Sequence, residues 1–406
     1  MLVSAWEGDI AMNFWSGITT EPESHIAVEK LVMDAMQAIG APPDLALFFI
    51  SSHHRKAASE IANHLKQTLN AGVLLGCTGE GIIGSSHEIE EGPAISLWIA
   101  SLPGVTLHPF HLSFEENAQG TQLKGWPEES PAPEYNPFFI LLAEPFSTPA
   151  DYLLTTLQKE FPFAPVLGGM ASGARNPGEN LLFFNDQAVQ EGCVGIMAHG
   201  AIRLETVVSQ GCRPVGDRFL VTSAERNIIH ELGGRPALDL VKETYGKLSE
   251  QEKRLAQEGL HVGVAVDEQK GHFGRGDFLI RSLIGIDQDS GSLSCGDIIK
   301  EGQTLQLQVR DGESAREDLW LLLEARKMEM GEARAEAALL FSCNGRGERF
   351  FGRPHHDVGA IRECLGKIPL AGFFAQGEVG PIGRKNFLHG FTASIALFCK
   401  TKALRA

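Results

Sequence analysis

Acidic and basic side chains accompany three glycine-rich turns, and this combination is the strongest indication of chemistry in the chain. The turns span residues 75–81, 167–173 and 371–378. Glycine allows successive backbone N–H groups to converge on one point, which can hold an anion. A phosphate loop also needs a lysine directly after a glycine, whereas here Glu80 follows Gly79 and Glu378 follows Gly377. The sequence therefore argues against a nucleotide-binding P-loop.

The charges around the turns instead suit a ligand that carries both signs. A buried glutamate beside convergent amides favours an amine, a hydroxyl or an internal partner, and Arg175 offers a planar donor for a carboxylate. Glu80, Arg175 and Glu378 are expected to surround one common hollow, which would fit a zwitterion such as an amino acid. The alternative is that the glycines only make tight turns and that each glutamate accepts backbone hydrogen bonds.

A fourth loop, Cys343-Asn344-Gly345-Arg346-Gly347, follows an apolar run and can also reach a ligand. It can equally be a plain solvent-exposed turn. The candidate ligand-binding residues are Cys77, Thr78, Glu80, Ser172, Arg175, Asn344, Arg346, Gln376 and Glu378. No catalytic residue is assigned, because no local histidine motif activates Cys77 or Cys343, and inert buried thiols are the favoured interpretation.

Two histidine pairs lie at matching places in the first and third of three repeated β-α-β units. They are His53-His54 and His355-His356, the latter followed by Asp357. Neutral imidazoles bind zinc or haem iron, but adjacent side chains point in different directions and the spacing fits no zinc motif. We expect no metal or cofactor, with haem held by these histidines as the alternative.

Three copies of one β-α-β unit are predicted to position the turns. Their first strands begin with the apolar runs 45–50, 138–142 and 338–343, and a second run lies roughly thirty residues later, as a crossover helix requires. Ligands bind at strand ends in such units. The predicted fold is α/β, with mixed sheets built from these repeated units, two halves, and an added antiparallel β region at 260–309.

Other local signals set the remaining elements. Ser24 is expected to cap an amphipathic helix that Gly40 ends, and Thr148 to cap the second crossover helix. Residues 314–317 match a capping box, residues 120–136 are expected to form a surface loop, and 223–232 a helix. The hinge at 233–236 divides a first domain at 41–233 from a second at 234–406, after a lead and helix at 1–40. Either Met1 or Met12 can be the true start.

Bulk composition limits the partners and the compartment. The 406 residues carry a net charge of −16, which argues against nucleic acid and anionic membranes. Seven dispersed cysteines without a CxxC pair are typical of reduced thiols, and no apolar stretch approaches a membrane span. The first ten residues do not resemble a secretory signal. A cytoplasmic protein is therefore expected.

These motifs resemble the FIST family. The turn at 76–82, the stretch Gln210–Gly216 written QGCRPVG and residues 234–238 look like the FIST N region, while 343–347 and 372–381 look like the FIST C region. The resemblance implies a sensory or signal-transduction module that binds small ligands, with amino acids suggested, and a separate signalling protein as its partner. The chain looks like a stand-alone bacterial-type member, since the single helix before residue 45 leaves little room for an F-box.

The leading hypothesis is accordingly a sensor for an amino acid or a similar small polar metabolite. A haem-based nitric oxide sensor is the second, motivated by the histidine pairs and by haem-binding relatives in the resembled family. An enzyme that uses a cysteine or a glutamate in the same cleft is the third. A protein-interaction scaffold is the fourth, and an exposed apolar patch around Phe373-Phe374 would favour it.

Overall fold

The computed structural model describes residues 12–118, 120–127, 131–132 and 135–400. Met1 and most of the predicted N-terminal lead lie outside this part of the chain. None of the helices in the described ranges has the length and apolar character needed to cross a membrane.

The first sheet contains the first predicted β-α-β unit. Its strands are β1 (Asn13–Thr19), β2 (Leu45–Ser51), β3 (Val73–Gly79), β6 (Ile95–Ser101), β11 (Leu182–Phe184) and β12 (Gln187–Val189). They are ordered β1-β6-β2-β3-β11-β12, and β2 runs parallel to β3. Helices α1 (Ser24–Ile39) and α2 (Ala58–Leu69) pack their apolar residues against it, with a 3-10 helix at Ser52–Ala57 before α2.

The second sheet contains the second unit. Its strands are β7 (Val105–Asn117), β8 (Gly120–Lys124), β9 (Phe138–Ala143), β10 (Val166–Met170), β13 (Cys193–Gly200), β24 (Glu378–Ile382) and β25 (Lys385–His389). They are ordered β25-β24-β10-β9-β13-β7-β8, with β9 parallel to β10 and helix α3 (Ala150–Glu160) as the crossover. Late strands β24 and β25 thus complete a sheet that the first half of the chain begins.

The third sheet contains the third unit. Its strands are β4 (Ile82–Ile83), β5 (Glu88–Ile89), β14 (Ile202–Gln210), β22 (Ala335–Cys343), β23 (Leu370–Ala375) and β26 (Thr392–Lys400). They are ordered β14-β26-β22-β23-β4-β5, and β22 runs parallel to β23. Helices α6 (Gly312–Met330), α7 (Glu348–Phe351) and α8 (His356–Leu365) belong to this region. Here early strands β4 and β5 extend a sheet made mostly by the second half.

The remaining strands form a closed six-stranded barrel with one short extra strand. They are β15 (Cys212–Glu225), β16 (Ile228–Leu232), β17 (Arg235–Pro236), β18 (Leu260–Ala265), β19 (Phe278–Ile286), β20 (Leu293–Cys295) and β21 (Thr304–Arg310). The order is β15-β21-β18-β19-β20-β16-β17, and pairing of β15 with β16 closes the ring. Helices α4 (Ala237–Lys247) and α5 (Glu250–Glu258) flank it. The barrel is antiparallel, as predicted for 260–309, but it also recruits residues from 212 onward.

One apolar core joins the first three sheets. It includes Leu47 and Trp98 from the first sheet, Ile140 from the second, and Leu339 and Phe373 from the third. Near-continuous apolar strands of this kind are expected where both faces of a sheet are covered. The α/β class and the three β-α-β units are confirmed, and the units occupy three different sheets.

Several local predictions were wrong. Residues 223–232 form the end of β15 and β16 rather than a helix, and β8 lies within the predicted loop at 120–136. Asp311, not Ser314, caps α6 by accepting from two backbone amides. Ser24 and Thr148 do not cap helices, because their hydroxyls bond His54 and the Gly192 carbonyl. Gly40 does end α1 in the left-handed conformation, as predicted.

Candidate functional site

The three glycine-rich turns meet and hydrogen-bond directly to one another. The amide of Ser172 donates to the Thr78 carbonyl at 3.1 Å, and its hydroxyl accepts from the amide of Glu80 at 2.8 Å. The same hydroxyl donates to the Phe374 carbonyl, and the Phe374 amide donates to Gly81 at 2.9 Å. These amides therefore already have protein acceptors.

Glycine is required at this junction for close packing. A Cβ added at Gly169 would lie 2.9 Å from the Ala375 side chain, and one at Gly81 would lie 2.6 Å from the Phe374 ring. Such distances are shorter than van der Waals contact. The glycines thus let the three strand ends approach one another. This agrees with the alternative interpretation of the sequence, in which the glycines only make tight turns.

The side chains at the turns point in different directions. Glu80, Arg175 and Gln376 are exposed, whereas Glu378 is fully buried. Cys77 packs in the apolar core. The three charges therefore do not surround one enclosed hollow, contrary to the expectation from sequence. Thr78 and Ser172 are buried and serve the turns, with the Thr78 hydroxyl accepting from the Leu181 amide at 3.1 Å.

A buried ionic network lies at the end of β22 instead. The Arg346 guanidinium donates from Nε and Nη2 to the two carboxylate oxygens of Asp357, each at 2.9 Å. Ser342 Oγ and His356 Nδ1 also lie 2.9 Å from this carboxylate. Burial alone would raise the pKa of Asp357, but Arg346 and His356 outweigh it and hold that pKa well below its usual range.

Glu88 links the early hairpin β4–β5 to this network. Its Oε1 accepts from the Val358 amide in the first turn of α8 at 2.7 Å. Burial and the nearby charge of Asp357 raise the pKa of Glu88 to about 8. A carboxyl from the first half of the chain is thus held, mostly protonated at neutral pH, against a helix of the second half.

Glu378 is the second buried acid of this region. Its Oε2 accepts from the amide and the hydroxyl of Thr392 at 3.1 and 2.8 Å, while its Oε1 has no partner within the described residues. Burial raises the pKa of Glu378 to about 8, and burial together with Glu378 raises the pKa of the Cys343 thiol to about 12. Cys343 is therefore poorly suited to act as a nucleophile.

An open cleft of about 670 Å³ lies beside the network. It is lined by Glu90, Leu255, Glu258, Arg310, Gly312, Asn344, Gly345, Gly347, Arg349 and Phe350, and we call it the Asn344 cleft. Carboxylates and guanidinium groups both line this cleft. The sequence predicted such a mixture of charges at the three glycine-rich turns instead. Of the nine candidate residues, Asn344 is part of the lining and Arg346 lies buried in the same loop.

The loop glycines make room for charged side chains at this cleft. A Cβ at Gly345 would lie 2.9 Å from Nη2 of Arg310, and one at Gly347 would lie 2.1 Å from Oε2 of Glu90. Arg310 stacks on the Phe350 ring, 4.6 Å from its centroid, and Glu90 accepts from the Glu348 amide at 2.7 Å.

Sequence reasoning missed most of the cleft lining. Arg349 and Phe350 follow the Cys343–Gly347 motif directly, so extending that motif along the chain would have found them. Arg310 and Glu258 come from the barrel region and carry no local signal that connects them with this loop.

The histidine pairs are engaged in separate local contacts. His53 is exposed, and Nδ1 of the buried His54 lies 2.9 Å from the Ser24 hydroxyl. His355 Nδ1 accepts from the Glu88 amide at 3.0 Å, and the His356 ring stacks on Phe351. Across the described ranges, no group of three or more His, Cys, Asp or Glu side chains is arranged to hold a metal ion.

Phe373 and Phe374 form no exposed patch. Both rings are buried, and Phe373 packs against Phe49 and Phe341 in the shared core. The observation that would have favoured a scaffold role at this position is therefore absent.

Comparison with known proteins places most of this chain in one family. The FIST N domain model matches residues 44–235, and the FIST C domain model matches residues 237–381. Uncharacterized proteins of Mycobacterium tuberculosis strains CDC 1551 and H37Rv are each 38% identical over 388 residues, covering 95% of this chain and 100% of the relative. An uncharacterized protein of Mycobacterium bovis is 39% identical over 388 residues, covering 95% of this chain and 99% of the relative. The chain belongs to the FIST family and carries a FIST N domain followed by a FIST C domain.

Proposed function

We propose that this protein is a cytoplasmic sensor that binds an amino acid, or a similar small zwitterion, in the Asn344 cleft and signals to a separate protein. The observation that carries the proposal is the presence of guanidinium and carboxylate groups on the walls of one cleft. A volume of about 670 Å³ is within the range of about 300–1,000 Å³ that is typical of small-molecule sites.

The charges on the cleft walls are available to a ligand to different degrees. The side chains of Arg349 and Glu258 are exposed and make no hydrogen bond or ion pair with the rest of the described chain. Arg310 is less available, because its Nη2 donates to the Gly345 carbonyl and its Nε is buried. We assign Arg349 to the ligand carboxylate, because a planar guanidinium matches that group in two parallel hydrogen bonds, and Arg310 adds positive charge beside it.

The ammonium group of the ligand would then face Glu258 and Glu90. Glu90 comes from the FIST N domain, while Arg310 and Asn344 come from the FIST C domain. A ligand that contacts both domains stabilises their present arrangement in proportion to its occupancy. This supports a sensory role, because the state of the junction would report the ligand concentration.

A thermal-shift screen of amino acids, simple amines and organic acids tests the proposal. At a hundredfold excess over Kd, binding adds about 2.7 kcal/mol to the free energy of unfolding. We expect an amino acid to raise Tm, and Arg349→Ala and Glu258→Ala each to weaken its binding at least tenfold by calorimetry. Single-charge ligands should bind more weakly, since they engage one half of the site.

Arg175→Ala is the matched control, because this exposed arginine lies at the second glycine turn, and its loss should leave binding unchanged. If Arg175→Ala abolishes the shift and Arg349→Ala does not, the ligand binds at the turns. If no ligand class shifts Tm, or both cleft variants bind normally, the proposed site is wrong.

A further inference from the structure

Two histidines on neighbouring strands of the second sheet face each other. Neither of them lines the Asn344 cleft. His108 lies on β7 and His199 near the end of β13. In this antiparallel pair, His108 is opposite Met197 and His199 is opposite Thr106. Because side chains alternate between faces, the two histidines are diagonal neighbours on the same face of the sheet.

The separation of the two ring nitrogens suits a shared metal ion as well as the hydrogen bond that the rings form with each other. Their Nε2 atoms are 3.3 Å apart, and their ring planes are inclined by 14°. At this distance one ring can donate to the other when no ion is bound. Two nitrogens bound at about 2.0–2.1 Å to a tetrahedral zinc ion lie about 3.3–3.4 Å apart, whereas a 90° arrangement would place them about 2.9 Å apart.

The surroundings restrict the orientation of the His199 ring. Both histidines are partly buried, so part of each ring remains open to solvent. The ring of Tyr135 packs 5.5 Å from the His199 ring, which limits its rotation. Two ring nitrogens held at this separation are what a pair of metal ligands requires.

We propose that His108 and His199 bind one Zn²⁺ ion through their Nε2 atoms. The remaining two tetrahedral positions would be filled by water or by an oxygen, nitrogen or sulfur atom of an incoming molecule. With two protein ligands, the site is expected to be weaker than a structural zinc site of four ligands. It is independent of the sensory function proposed above.

Calorimetry with zinc chloride on the chelator-treated full-length chain tests this site. We expect one zinc ion per chain, and at least a tenfold loss of affinity in His108→Gln and in His199→Gln. His111→Gln is the matched control, because His111 lies on the same strand but on its opposite face, with Nε2 3.2 Å from the Glu191 carbonyl. Its removal should leave zinc binding unchanged.

A second measurement on the wild type covers the case in which a variant fails to fold. Zinc should slow the modification of His108 and His199 by diethyl pyrocarbonate, while His111 continues to react, as followed by mass spectrometry of peptides. Absence of zinc binding by the wild type, or protection of other histidines instead of this pair, would overturn the proposal.

Discussion

Arg346 and Asp357 form a two-pronged ion pair in which both side chains are 1% exposed. The pair fixes the loop that leaves β22 against the first turn of α8, and the Asn344 cleft opens beside that loop. Burial of two charges is costly, so such a pair is weak evidence for stability as such. Its contribution here is to hold one geometry of the loop.

Removing one partner of this pair should be more harmful than removing both. Asp357→Leu leaves the Arg346 charge buried without its counter-ion, and we expect a loss of about 3–5 kcal/mol in the free energy of unfolding. The double change Asp357→Leu with Arg346→Met should restore a large part of that loss. Urea unfolding of wild type, Asp357→Leu and the double variant measures both quantities, and a double variant no more stable than Asp357→Leu would contradict the prediction.

Stability should fall as pH rises from about 6.5 to about 8. The folded-state pKa values of Glu378 and Glu88 are raised to about 8, above the 4.5 of an ordinary glutamate. Below about pH 6.5 the resulting loss of stability is offset by the buried His261 and His389, whose pKa values are lowered to about 4, because the unfolded chain keeps protons that these histidines have lost. Between about pH 6.5 and pH 8 the two glutamates dominate: the unfolded chain has released protons that the folded chain keeps, so each glutamate lowers the free energy of unfolding by about 1.4 kcal/mol per pH unit. Tm measured across this range should decline.

Glu378→Gln isolates the contribution of one acid to that decline. The amide cannot ionise and retains an acceptor for Thr392, so the fall in Tm between about pH 6.5 and pH 8 should shrink relative to wild type. Glu80→Gln, an exposed change in the first glycine turn, should leave the profile unaltered. Identical profiles for wild type and Glu378→Gln would show that Glu378 ionises normally.

Cys343 should react slowly with alkylating agents in the folded protein. Because its pKa is raised to about 12, little thiolate is present at pH 8, whereas an ordinary cysteine with a pKa of about 8.5 is substantially ionised. We expect iodoacetamide to label Cys343 at least a hundredfold more slowly in the native protein than in urea. Labelling as fast as that of a free thiol would revive the interpretation of Cys343 as an enzymatic nucleophile.

The β-α-β units could be predicted because their signals are local. Apolar runs, crossover-sized gaps and glycine turns at strand ends are all visible within one unit. Residues 223–232 were misjudged because Ala224, Ile228 and Leu232 also recur at helical spacing. Pairing of β16 with β15 and β20 decides that segment, and such tertiary contacts override local preference.

The candidate site was harder to predict because its parts are distant in sequence. The charged character of the site and the loop around Asn344 could be inferred from motif and spacing. The cleft, however, depends on Arg310 donating to Gly345 across 35 residues and on Glu90 accepting from Glu348 across 258 residues. A single sequence contains no signal that links such positions.

The glycines between the parallel strands offer a test of the close-packing explanation for the turns. A Cβ at Gly372 would lie 1.7 Å from the Leu340 carbonyl oxygen, which belongs to the backbone of the adjacent strand and cannot move aside easily. Gly372→Ala should therefore force the third sheet apart, and we expect a loss of at least about 3 kcal/mol, as for other severe steric changes in a core.

Gly246→Ala provides the matched control for this substitution. Gly246 lies in α4, and a Cβ there would meet nothing within 4 Å. Alanine should raise stability by about 0.5–1 kcal/mol, since it has the higher helix propensity. Urea unfolding of both variants distinguishes steric need from conformational preference. A Gly372→Ala protein as stable as wild type would show that the strands can separate, and that glycine is not required there for packing.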